Sequence, residues 1–425
     1  MSRVAIIGSG IAGLGCAWFL HRRHEITVFE ADDHIGGHSN TVTVDENGRE
    51  VPIDTGFMVF NEVTYPNLIR LFAELDVPTK PTSMSFSVHH GPSGIEWNGA
   101  GFNTLFAQRK NLLNLRHWRF LIQLNRFNKE AVAALDEPRW AKLSLAEYVE
   151  RRGYGRDFLE RYLIPMSSAV WSTPPEKMLA FPAVTLLRFW HNHGFLGLDT
   201  QHPWRTVDGG SREYVERMIT PFRDRIHTEA PVQSVQRSGD GIELKVKGRS
   251  PEGFDRVIFA THAPQSLKML TSPTELEETI LSPFAYQPND VVLHSDPRFM
   301  PKTKRCWASW NYRTDGVGKN ERPTIHYWMN RLQGVSDHRN YFVSLNAAEE
   351  IPAQSRHREL AYEHPLFDLG AIAAQKRIPE LHAAGHETNT FFCGAWTRYG
   401  FHEDGLLSAV TLCESLLGGD PWALR

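Results

Sequence analysis

The sequence predicts an α/β fold, a parallel sheet flanked by helices, with a discontinuous α+β domain set into it. Three observations carry this prediction. Residues 4–7, Val-Ala-Ile-Ile, run unbroken in apolar character into Gly8-Ser9-Gly10-Ile11-Ala12-Gly13, and a helical pattern follows over 14–20. A second run, Ile26-Thr27-Val28-Phe29, ends in Glu30 about 20 residues past Gly10, the distance expected in a βαβ unit. Far along the chain, residues 257–260 and 391–396 repeat the short buried-strand signature, and a last helix is predicted over 406–417, closed by Gly418-Gly419.

Each part of the first unit has a physical reason. An unbroken apolar strand suits a parallel sheet covered on both faces. Gly8 permits the tight turn, Gly10 lets backbone N–H groups approach a diphosphate, and Gly13 lets helix and strand pack closely. Ser9, Ile11 and Ala12 lie between them, so the N–H groups that open the helix point at the same place. Glu30 can accept hydrogen bonds from a ribose, with Ala31 beside it. Together these features define a Rossmann-type dinucleotide fingerprint, and the chain carries one of them.

Composition bounds the rest. The chain has 425 residues, 41 % of them hydrophobic and 22 % charged, enough for a sizeable core in two or three domains. Forty-six Lys and Arg stand against 49 Asp and Glu, a net charge of −3, which argues against a nucleic-acid partner. The four cysteines, Cys16, Cys306, Cys393 and Cys413, are too widely spaced for a zinc knuckle and fit a reducing compartment. His89-His90 and the pair His191 and His193 lack a further ligand at metal-binding spacing, so no metal is expected. No signal peptide and no membrane-spanning run is visible, and a soluble cytoplasmic protein is expected.

The residues after Glu30 point further. Asp33-His34-Ile35-Gly36-Gly37-His38 resembles the E-x-x-x-x-x-G-G-R stretch of the flavin amine oxidase and phytoene desaturase superfamily, with His38 where that family has Arg. Asp54-Thr55-Gly56-Phe57-Met58 is similar to its following D-x-G segment, Trp204 to Ser211 to its central paired-glycine segment, and Gly394 to Leu406 to its C-terminal motif. The resemblance implies a Rossmann-type FAD-binding domain of the glutathione-reductase-like, amine oxidase type, and one non-covalent FAD. It implies cofactor contacts at the first glycine loop, Glu30, Ala31, Gly36, Gly37, His38, Thr55, Gly56, Phe57, Met58, Val232, Gly394, Glu403, Asp404 and Leu406. It also divides the sequence into a cofactor domain over 1–60, 203–270 and 387–425 and a substrate domain over 61–202 and 271–386.

Two departures bear on the substrate. The family's lysine near the flavin matches Asn289, and its aromatic-cage Tyr matches His402. With Trp396 nearby, these three are the candidate catalytic positions. Aromatic residues cluster at Trp307, Trp310, Tyr312, Tyr327 and Trp328, which suits an apolar cavity or the half-buried face of a sheet. The expected reaction is hydride transfer from a largely apolar or lipid-like small molecule to flavin N5, with oxygen or a quinone as final acceptor. An amine oxidase is the alternative, and a flavin-dependent isomerase or mutase without net oxidation is the alternative from another class. Residues 103–129 interleave apolar residues with Arg and Lys and hold no acid, which reads either as a packed helix with a basic face or as a peripheral membrane contact.

Overall fold

The computed structural model describes residues 1–197, 200–239, 241–314, 324–347 and 349–424. Five parallel strands form the sheet that the N-terminal pattern announces, in the order Ile226–His227, Glu25–Phe29, Arg3–Ile7, Arg256–Phe259, Thr390–Phe392. Val4 and Ile6 pack into one apolar cluster and Ala5 and Ile7 into another, so both faces of this strand are covered. That is why its sequence does not alternate.

The helix Ile11–Leu20 follows the first strand and is buried along its whole length. It lies against the last long helix, His402–Leu417, and the two cross where a Cβ on Gly15 would come within 2.9 Å of Ala409 Cβ. At their starts, a Cβ on Gly405 would lie 2.7 Å from Ile11 Cγ2, so the two N-termini meet. The last helix begins at His402, four residues before the predicted start, and this puts Glu403 and Asp404 in its first turn.

A seven-stranded sheet forms the second layer. Its order is Arg356–Leu366, Ala285–His294, Phe342–Leu345, Thr324–Trp328, Trp310–Thr314, Phe86–His90, Ile95–Asn98. All neighbours are antiparallel except Trp310–Thr314 against Phe86–His90. Smaller sheets bridge the layers: the hairpin Thr41–Glu46 with Arg49–Asp54, the triplet centred on Trp204–Val207, and the meander Val232–Ser238, Gly241–Val246, Glu252–Phe254. The helix Leu115–Ala134 packs on the edge of the large sheet through Phe120 against Trp97 (5.7 Å), and Ala183–Asn192 packs on that helix through Trp190 against Phe127 (5.9 Å). The basic stretch 103–129 is therefore not one helix. It comprises Phe102–Leu105, a tight turn at Arg109–Leu113, and Leu115–Ala134, whose start is capped by the Asn114 side chain. Among the described residues no helix is long and apolar enough to cross a membrane.

Candidate active site

One cavity of about 1650 Å³ runs between the parallel sheet and the seven-stranded sheet. A site for a single small molecule holds about 300–1,000 Å³, so there is room here for a dinucleotide and a substrate together. The strand ends at Ile7 and Phe29, the first glycine loop and the turn after Glu30 line one part of it. Gly13 is packed beneath this loop, where a Cβ would fall 1.9 Å from the Gly8 carbonyl oxygen. At Gly10 a Cβ would meet nothing within 4 Å, and no side chain caps the helix that starts there. The N–H groups of that first turn thus face open cavity with their partial positive charge uncompensated by protein.

Glu30 holds the cradle together. Its carboxylate accepts from Ser9 N (2.8 Å), Ser9 Oγ (2.6 Å) and Asp32 N (3.0 Å), and Ser9 Oγ accepts in turn from Gly36 N (3.2 Å). The second glycine loop approaches the first so closely that a Cβ at Gly37 (φ +58°) would lie 3.1 Å from Gly10 Cα. His38, beside this junction, stacks on Tyr362 at 4.7 Å between ring centroids and meets His364 edge-on at 5.4 Å. Its Nε2 is buried and has no hydrogen-bond partner among the described residues. Burial lowers the His38 pKa to about 4, and lowers His364 to about 3 and His262 to about 4, so the rings that line this part are neutral.

The remaining wall is aromatic. Phe189 stacks on Phe401 at 4.8 Å and on His193 at 3.9 Å, and also touches Trp171 at 4.8 Å. Trp310 and Tyr327, opposite each other on neighbouring strands, lie 8° from parallel and line the same cavity. Trp307 and Trp328 line a separate surface groove, and Tyr312 faces the packed core. His402 lies between the aromatic wall and the glycine loops. Its Nε2 is 2.7 Å from the Tyr214 hydroxyl, which also bonds Ser39 Oγ. Its exposed surface faces the cavity, and burial lowers its pKa to about 3, with His38 adding a smaller effect of the same sign.

The sequence-predicted positions divide into two groups. Gly8, Ser9, Gly10, Ile11, Ala12, Glu30, Ala31, Gly36, Gly37, His38, Gly56, Phe57, Met58, Val232, Gly394, Trp396 and His402 all line the cavity. Gly13, Thr55, Asn289, Glu403, Asp404 and Leu406 do not. Thr55 Oγ1 donates to the Asn40 carbonyl (3.0 Å) and bonds the Tyr362 hydroxyl (2.9 Å). Glu403 accepts from Asn67 N (3.1 Å), Asn67 Nδ2 (2.7 Å) and Leu68 N (3.0 Å), which caps the helix Pro66–Glu74. Asp404 accepts from Phe401 N (2.9 Å) at the start of its own helix, and burial raises its pKa to about 7. Leu406 is fully buried in the apolar cluster shared by the two long helices.

Asn289 does not itself line the cavity, although it shares a sheet face with its register partner Tyr362 and with His364, which do. The Asn289 amide donates to the Gln287 carbonyl (3.0 Å) and to His364 Nδ1 (2.9 Å). The bond to His364 links it to a ring that lines the cavity. Sequence reasoning missed His364, His262, Tyr362, Tyr214 and Phe189, because only tertiary packing brings their elements together. Tyr362 and His364 come from the large sheet, Phe189 from the helix Ala183–Asn192, His262 from just past the end of the parallel-sheet strand Arg256–Phe259 and Tyr214 from the helix Arg212–Ile219.

The model of the family described as flavin containing amine oxidoreductase matches residues 11–353. The chain belongs to that family. Members are oxidoreductases with FAD as cofactor. Similar proteins include AofH of Mycobacterium tuberculosis, a candidate flavin-containing monoamine oxidase, 26 % identical over 93 % of this chain and 87 % of its own length. Among solved structures, putrescine oxidase bound to putrescine superposes with a TM-score of 0.65 at 16 % identity, covering 98 % of this chain and 99 % of its own. A fatty acid isomerase from P. acnes that produces CLA gives 0.68 at 14 % identity over 96 % and 97 %. At these identities the structures share a fold, and they include different chemistries. The cavity of this flavoprotein suits the family's cofactor on its own evidence: an uncapped helix start facing open space at Gly10, two touching glycine loops fastened through Ser9 by Glu30, and the orphaned Nε2 of His38.

Proposed function

We propose that this flavoprotein holds one FAD non-covalently and oxidises a largely apolar, lipid-like small molecule by removing a hydride from one of its carbons. The observation that carries this reading is the continuity of one cavity from the glycine loops to a wall of Trp171, Phe189, Trp310, Tyr327 and Phe401. Bound FAD supplies the hydride acceptor, and oxygen or a quinone takes the electrons away. The glycine loops would hold its diphosphate and Glu30 its ribose, while His38 would donate or accept through Nε2. All four cysteines are buried, and Cys393 Sγ lies 3.7 Å from Cys16 Sγ instead of on the cavity, which supports non-covalent attachment.

The aromatic wall excludes water and fixes an apolar chain by contact area. In this reading His402 Nε2–H donates to the Tyr214 hydroxyl, which leaves Nδ1 unprotonated as the atom for substrate. Being neutral, it is ready to take the proton that leaves when a hydride is lost from one carbon and a double bond forms to the next. The family match and the AofH relationship favour amine oxidation as a second reading. Anaerobic mixing with acyl lipids, polyenes, benzylamine and polyamines tests both. Bleaching of the flavin absorbance by an acyl or polyene compound is expected, and rapid bleaching by the amines alone overturns the first reading.

A further inference from the structure

Six of the large apolar side chains that the described structure leaves exposed fall within residues 102–122. Leu113 is 91 % exposed, Leu115 74 %, Ile122 65 % and Phe102 63 %. The helix Leu115–Ala134 explains how they share a face. His117, Phe120, Phe127, Ala131 and Ala134 turn inward, while Leu115, Trp118, Arg119 and Ile122, at i, i+3, i+4 and i+7, turn outward. The inward Phe127 packs on Trp190 at 5.9 Å, next in sequence to the cavity-lining Phe189. The outward face is thus not left over from poor packing, because the helix already has a complete buried side.

Charge surrounds this apolar face. Arg109, Lys110 and Arg119 are exposed, and no carboxylate pairs with them among the described residues. On the other side of Phe102–Leu105, a surface groove of about 480 Å³ is lined by Thr104, Trp307, Trp328, Lys304, Arg305 and Arg331, with no acid in it. The indole N–H groups of Trp307 and Trp328 donate to Pro301 O (2.8 Å) and Asn340 Oδ1 (2.9 Å), so both rings keep their apolar faces free of polar demand. Protruding leucines beside tryptophans and unpaired cations complement one kind of surface: apolar below, aromatic-accepting at the boundary, anionic above.

We propose that the outer face of residues 102–122, with the basic groove beside it, docks this protein on the surface of an anionic phospholipid bilayer. Leu113, Leu115 and Ile122 enter the acyl boundary, Trp118 lies at headgroup depth, and Arg109, Lys110, Arg119, Lys304 and Arg305 meet lipid phosphates. The proposal is independent of the reaction that the cavity carries out.

Flotation of the FAD-loaded protein with vesicles of phosphatidylcholine, with and without phosphatidylglycerol, tests it. Binding to the phosphatidylglycerol vesicles is expected, weakening as salt is raised. The pair Leu113→Asp and Leu115→Asp should lower the partition coefficient at least tenfold, on the order expected for two lost apolar insertions. The pair Lys304→Gln and Arg305→Gln should lower it about fivefold per cation. Both sites are at the surface, so flavin content and melting temperature should stay at native values, and either pair suffices if the other folds poorly. Absence of native binding, or equal binding by both variant pairs, overturns the proposal. So does a native dimer in vesicle-free buffer that Leu113→Asp converts to monomer, since the face then belongs to a second copy of the protein.

Discussion

The imidazole of His402 lies flat on the ring of Phe57, with centroids 3.9 Å apart and planes 11° apart. Phe57 comes from the D-x-G segment that follows the strand Arg49–Asp54 and His402 from the start of the last helix, so this contact joins two segments far apart in the sequence at the edge of the cavity. It fixes the ring plane, and the Tyr214 hydroxyl fixes its Nε2. In the proposed reaction, His402→Ala would remove both a part of the cavity wall and the proton acceptor. The flavin should remain bound, and substrate-driven bleaching should slow about a hundredfold or more, the scale of a positioned acid–base group. Equal rates in native and variant protein would remove His402 from the mechanism. Because its pKa is held at about 3, the native rate should show no inflection from this group between pH 5 and 9.

Gly10 and Gly13 should fail in different ways. A side chain at Gly10 enters open cavity, so Gly10→Val should fold and lose at least about nine-tenths of its flavin. At Gly13 even Ala collides with the Gly8 carbonyl, and a loss of about 1–3 kcal/mol or more of stability is expected. Flavin absorbance and circular dichroism on the same samples separate the two. Heating native protein should leave FAD in the supernatant, and flavin retained in the precipitate would show covalent attachment.

Glu403→Ala tests the capping role. It leaves the Asn67 and Leu68 N–H groups without their acceptor, at a cost of about 1–3 kcal/mol. Urea unfolding should show this loss, with flavin content at saturating FAD unchanged. A variant of native stability that cannot bind FAD would place Glu403 at the cofactor instead.

Acid should destabilise this flavoprotein earlier than carboxylate titration requires. Burial first of all lowers His38, His193, His262 and His294 to about 4 and His364 and His402 to about 3. An unfolded histidine titrates near about 6.5, so below that pH the unfolded chain binds more protons and stability falls as pH drops toward these folded values. Asp54, Glu403 and Asp404 act in the opposite sense, since burial raises each carboxyl and Asp404 reaches about 7. The six rings outnumber the three carboxyls, and Tm of the apo-protein should fall between pH 7 and pH 5. A flat or rising Tm would show that these rings are charged in the folded state.

Nicotinamide should not serve as reductant. The chain carries one dinucleotide fingerprint, and its glycine loops line the cavity that the flavin needs. Neither NADH nor NADPH should bleach the flavin at rates matching turnover in stopped-flow mixing.

The sequence by itself determined the parallel sheet and the cradle. Residues 4–7, the glycines at 8, 10 and 13 and Glu30 act through contacts close along the chain: a strand, the turn that ends it and the helix it starts. Local backbone chemistry is sufficient for such a unit, and its spacing is visible in one dimension. Only the tertiary structure decided what faces the cavity elsewhere. Asn289 and His364 are 75 residues apart and touch because two strands of the large sheet pair antiparallel, with Gln287 opposite His364 and Asn289 opposite Tyr362, so that Asn289 shares a face with both rings and supports from beneath the His364 that lines the cavity. Glu403 likewise stands in the C-terminal motif, yet the helix that starts at His402 presents it to Asn67 and Leu68. Pairing register and helix phase assign each side chain to one face or the other, and both are fixed by long-range packing that no short stretch of sequence contains.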